Sequence, residues 1–78
     1  MPKVKPVEPF YALVGSRVRH VREFLGMTQE DVAKRCGLTR TSLVNIEAGR
    51  QRFLAHFVED VARALRVKPK KLMRAIWS

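Results

Sequence analysis

The 78 residues carry 16 Lys/Arg against 7 Asp/Glu, a net charge of +9, so one small domain with a marginal core and a polyanionic partner, nucleic acid first, are expected. One cysteine excludes an intramolecular disulfide and fits a reducing cytoplasm. No apolar run reaches the length of a membrane span, no secretion signal precedes the domain, and His20, His56 and Cys36 lack zinc-ligand spacing.

Residues 1–9 read as a flexible, basic arm, because 2–9 hold three of the four prolines and two lysines. The simpler reading is a frayed, solvated terminus; the alternative is an arm that touches phosphates or a minor groove. The domain then fills 10–78. Its first helix is predicted from about Phe10 to Leu25, with Phe10, Val14, Val18, Val21 and Leu25 on one inward face. Gly26 ends it, and Thr28 caps the next helix with Asp31 completing a capping-box-like pair.

Residues 29–48 are the most informative stretch. Val32, Ala33 and Cys36 form the inward face of one short helix, Gly37 breaks it, and Leu38, Leu43 and Ile46 continue the apolar face beyond the break. Ala33 and Gly37, small and four apart, suit two closely crossing helices, and glycine also accepts the left-handed conformation that ends a helix. Thr39 caps the second helix, about 39–48, and Gly49 closes it. This is the pattern of a helix-turn-helix whose second helix reads the DNA major groove.

A fourth helix is predicted over about Leu54–Arg66, with Leu54, Phe57, Val58, Val61 and Leu65 inward and no capping residue at its start. Pro69 suits the first turn of a fifth helix with an apolar strip of Leu72, Met73 and Ile76. Trp77 either folds back or joins a dimer contact. No strand pattern competes, so the chain is expected to be all-α.

Several segments together carry a resemblance: Gly15–Arg19 through Arg22, Met27-Thr28-Gln29, Val32-Ala33, and after Gly37 the set Leu43, Ile46-Glu47-Ala48-Gly49, Val61–Leu65, Val67, Pro69 and Leu72. In order and spacing, residues 13–72 resemble the Cro/repressor-type helix-turn-helix family of phage repressors, bacterial regulators and antitoxins. The resemblance implies a compact five-helix, lambda-repressor-like DNA-binding domain. The segment 50–54 departs from it, because a proline often found near there is missing.

On a helical wheel of 39–48, Arg40, Thr41, Val44, Asn45 and Ala48 gather opposite the packing side chains. Arg40 can bond guanine O6 and N7 together, or contact phosphate; Asn45 can pair with adenine N6 and N7. Val44 suits a thymine methyl or a packing contact, and Thr41 is a reader or a spacer. For the DNA backbone, the resemblance assigns Gln29 to phosphate at a helix N-terminus, and Thr39, Ser42, Arg50 and Arg52 are further candidate donors. The resemblance also pairs Arg22 with Glu47 as a structural ion pair that orients the recognition helix. Cys36 reads as a packed thiol.

The function expected is sequence-specific regulation of transcription in the cytoplasm of a bacterial or phage-infected cell, most simply repression by operator occupancy. Double-stranded DNA is the partner, through an inverted repeat bound by a homodimer that forms in solution or only on DNA. A surface around Leu65–Leu72 with Met73, Ile76 and Trp77 is the candidate dimer contact. No cofactor, small-molecule effector, metal, membrane or enzymatic activity is expected, since no nucleophile, base and orienting group converge. An antitoxin, a restriction–modification controller, and a protein- or RNA-binding adaptor are the alternatives.

Overall fold

In the computed structural model, residues 9–77 are described, with side chains through 73. Five helices follow one another: α1 (Pro9–Phe24), α2 (Gln29–Cys36), α3 (Arg40–Glu47), α4 (Ala55–Leu65) and α5 (Pro69–Trp77). There is no strand among the described residues, and the fold is all-α as expected. Residues 1–8 of the expected arm lie outside the described residues, and Pro9 belongs to α1. The side chains of Ile76 and Trp77 lie outside them too.

The apolar faces meet in one core. α1 packs on α3, α4 and α5, while α2 packs on α3 and α4. Val14, Val18, Val32, Leu43, Ile46, Val61, Leu65 and Leu72 are buried essentially completely. Each such side chain is worth about 1.5–3 kcal/mol, and together they fix which face of every short helix turns inward. α2 and α3 have eight residues each, too few to be stable alone in water. Packing, not propensity, holds them.

Three expected core residues are outside it. Phe10 is 37% exposed, Leu25 45% and Leu54 70%. Leu25 lies beyond the last residue of α1, and Leu54 stands before α4 in extended backbone (φ −77°, ψ 154°). Neither belongs to the helical wheel that placed it inside. Phe10 lies in the first turn of α1, at the edge of the core, beside the rings of Tyr11 at 5.4 Å and Phe53 at 6.2 Å between centroids. Phe53 also meets Tyr11 edge-on and Phe57 at a tilt, which ties the α3–α4 loop to α1 and α4.

The small-residue reading of Ala33 and Gly37 also needs correcting. A Cβ on Gly37 would meet nothing within 4 Å, so no close helix crossing depends on that glycine. Its role is conformational: at φ 69° it lets Leu38 N–H return to the Ala33 carbonyl at 2.9 Å. The close approach is at Gly15 instead. A Cβ there would run into the backbone carbonyl of Ile46, so α1 and α3 touch backbone to backbone.

α4 ends in the same kind of turn as α2, but with Arg66 at φ 57° where the turns after α1, α2 and α3 use glycine. Val67 N–H reaches the Ala62 carbonyl at 2.9 Å. A side chain in this conformation costs about 1–2 kcal/mol, partly offset because arginine loses less backbone entropy on folding than glycine. Arg66→Gly should therefore raise stability by about 0.5–1 kcal/mol, visible as a higher urea midpoint with an unchanged slope. An unchanged or lower midpoint would mean the arginine is held there by a compensating contact.

Candidate nucleic-acid interface

Local chemistry sets both helix starts. Thr28 accepts from Asp31 N–H at 3.0 Å while Asp31 accepts from Thr28 N–H at 3.3 Å, a complete capping box for α2. Thr39 accepts from Ser42 N–H at 3.1 Å and caps α3. The Thr28 hydroxyl, then the Thr28 N–H, hold the Asp31 carboxyl below its ordinary value near 3.8. A depressed folded value gives stability that is complete above the unfolded value and fades as pH falls through the folded one. Stability should thus decline below about pH 4, and Asp31→Asn should flatten that decline in thermal melts across pH 2–5.

Arg22 and Glu47 are brought together in the interior between α1 and α3. Arg22 Nε donates to Glu47 Oε2 at 2.7 Å and Nη2 donates to Oε1 at 3.0 Å. The Arg22 side chain is 10% exposed and that of Glu47 2%. The bond to Glu47 raises the arginine's pKa against the opposing effect of burial. Two further partners, which residue spacing does not reveal, join the pair: Arg22 Nη1 donates to the Met27 carbonyl at 2.9 Å, and Gln29 Nε2 donates to Glu47 Oε1 at 3.1 Å. One carboxylate therefore ties together the end of α1, the start of α2 and the end of α3. No buried side-chain polar atom among the described residues lacks a partner.

Around this centre lies an open groove of about 690 Å³, lined among others by Arg19, Gln29, Glu30, Arg40, Val44 and Glu47. Arg40 and Thr41 are exposed at the start of α3, and Ser42, Val44 and Asn45 are half-buried along it. Thr39, Arg50 and Arg52 are exposed. Gln29 is half-buried, with an amide N–H already given to Glu47. Glu30 and Asp31 put acidic groups into the first turn of α2, which offsets the attraction of that helix start for an anion. Arg19, to which the sequence assigns no contact, enters the groove one turn before Arg22; its Nε donates to Glu23 at 3.3 Å on the exposed face.

Asn45 and Arg50, assigned from the sequence to base and backbone, touch each other. Arg50 Nε and Nη2 donate to Asn45 Oδ1 at 3.3 and 3.2 Å. Wheel geometry could not show this, because Arg50 lies past the end of α3. On the far side of the motif, Cys36 is half-buried at the end of α2, and burial, with the charge of Asp60, pushes its thiol up. No helix among the described residues is long and apolar enough to cross a membrane, and they hold no group of three or more His, Cys, Asp or Glu that could bind a metal.

Residues 13–75 match the helix-turn-helix domain family. The control protein C.BamHI of Bacillus amyloliquefaciens is 37% identical over 62 residues, 78% of this chain and 76% of that protein. The restriction–modification controller protein C.AhdI of Aeromonas hydrophila superposes with a TM-score of 0.75 at 29% identity, over 80% of this chain and 94% of that one. The controller C.Esp1396I, solved as a tetramer in complex with its natural 35 base-pair operator, gives 0.77 at 25% identity, over 88% and 91%.

Proposed function

The chain belongs to the helix-turn-helix domain family, and from that premise we propose that it is a sequence-specific DNA-binding regulator of transcription, acting by operator occupancy. The observation that carries this reading is the surface of α3. Its first turn exposes Arg40 and Thr41, while its last turn is anchored through the buried Glu47 to Arg22 and Gln29. A short helix held rigidly at one end and polar at the other is suited to the major groove. Arg40, Thr41, Val44 and Asn45 face bases in this reading; Gln29, Thr39, Ser42, Arg50 and Arg52 serve the backbone.

A homodimer on an inverted repeat, with half-sites about 34 Å apart, is the assembly proposed. The α4–α5 junction offers little apolar surface for it, because Arg66, Lys68, Lys70 and Lys71 are all exposed there. Like charges on two copies repel in solution and less so beside a polyanion, which favours a dimer completed on DNA. The likeness to C.BamHI and C.AhdI favours one particular role, control of a restriction–modification system.

Selection from a random duplex pool tests the proposal. An inverted repeat should be recovered, with a slope of log affinity against log salt of about −5 for about six phosphate contacts. Arg40→Ala should relax preference at a single base pair by about 1–3 kcal/mol. Tight binding without any enriched sequence would sink the regulator reading. A selected site beside restriction and methylation genes would assign the controller role.

A further inference from the structure

Asn45 and Arg50 are joined twice. α3 closes on Gly49 at φ 75°, and that turn brings Arg50 N–H back to the Asn45 carbonyl at 2.9 Å. A Cβ on Gly49 would press on Ala12 at 3.2 Å, so the turn is held tightly by α1. The Arg50 side chain then reaches Asn45 Oδ1 with two N–H groups, at 3.3 and 3.2 Å. A guanidinium has donors only, so the oxygen end of the amide must face it. Both donors belong to one guanidinium and converge on this oxygen, so a base that needs the same acceptor must compete with Arg50. Asn45 is left with its NH2 group.

We propose that Arg50 is a specificity-determining residue, which by occupying Asn45 Oδ1 makes Asn45 a donor-only reader selective for guanine over adenine. The inference rests on the DNA-reading role of α3 proposed above. Adenine shows the major groove an N7 acceptor beside an N6 donor, so the paired contact with asparagine needs Oδ1 open to accept from N6. Here N6–H would find that oxygen already engaged by Arg50. Guanine shows two adjacent acceptors, N7 and O6, and one NH2 group can serve both. Cytosine offers a donor at N4 and is rejected for the same reason as adenine, while thymine offers one acceptor, O4, against the two of guanine. Arg50 keeps Nη1 for a phosphate, so one residue links backbone contact to base choice.

The test is selection from a random duplex pool with the unaltered chain and with Asn45→Ser, Arg50→Met and Arg50→Lys, each checked for folding by circular dichroism. The pair facing Asn45 is the one whose preference Asn45→Ser removes. There the unaltered chain should favour G·C over A·T by about tenfold, and both Arg50 variants should shift toward A·T with other positions unchanged. Arg50→Lys keeps the positive charge, so enrichment persists if Arg50→Met binds too weakly to select. A·T preferred by the unaltered chain, unchanged preference in the Arg50 variants, or no position altered by Asn45→Ser would each overturn the inference. Failure of the unaltered chain to enrich any sequence is a different result and removes the regulator reading itself.

Discussion

Glu47→Ala should cost about 3–5 kcal/mol of folding stability, a fall of roughly 15–30 °C in melting temperature for a domain of this size. The carboxylate accepts three hydrogen bonds, two from Arg22 and one from Gln29, with its side chain 2% exposed. Its removal leaves a buried guanidinium with only the Met27 carbonyl and the more distant Glu23, 3.9 Å away, to offset its charge. Arginine cannot escape by losing its proton, so the full penalty falls on the fold. The double variant Arg22→Met/Glu47→Leu should recover most of the loss, because replacing both partners of a buried pair by apolar groups is near neutral. It should still bind DNA more weakly than the unaltered chain, since Gln29 loses the carboxylate that holds it. Thermal melts of the single and double variants decide the matter: a loss under 1 kcal/mol in the single variant would mean the pair is solvated.

That pair also marks the boundary of what the sequence reveals. Periodicity identified the five helices and most of their inward faces, because apolar spacing reports burial wherever a helix has a neighbour along its length. It failed at Leu25 and Leu54, which share the spacing but lie outside the helices. Capping was legible at Thr28, Thr39 and Gly37, where a short-range hydrogen bond depends only on nearby residues. Nothing in the spacing placed Arg22 near Glu47, 25 residues apart; only the family resemblance supplied that contact. A charged residue reads as solvated until a tertiary partner is known.

The contacts within the site were harder still. Helical wheels sort residues by face and are blind to what happens after the helix ends, so from the sequence Asn45 and Arg50 read as residues with separate tasks. The turn at Gly49 makes them one unit. A sequence signal does exist: a glycine four residues after a polar side chain, followed by arginine, brings the fifth residue back over the first when the glycine is left-handed. Gln29 hides its link to Glu47 in the same way, since its position at a helix start suggests only an anion.

Gly15→Ala should destabilise the fold by about 2 kcal/mol even though alanine is the better helix former. The gain in helix propensity is about 1 kcal/mol. Against it, the new Cβ would collide with the Ile46 carbonyl oxygen, lie 2.9 Å from the carbonyl carbon, and sit 3.3 Å from Glu47 Cα. All three are backbone atoms, so no side chain can rotate away, and α3 itself must move. That movement displaces Glu47 from Arg22 and turns Arg40 and Asn45 relative to α1, so sequence preference should weaken more than salt-dependent, non-specific binding. Gly37→Ala provides the contrast. Its Cβ meets nothing within 4 Å, so it should cost about 1–2 kcal/mol of left-handed strain while leaving base preference intact in the fraction that folds. Urea melts and pool selection on both variants separate the two roles. A Gly15→Ala protein that is as stable and as selective as the unaltered chain would show that α1 and α3 do not touch backbone to backbone, and that the angle of α3 is set by the ion pair alone.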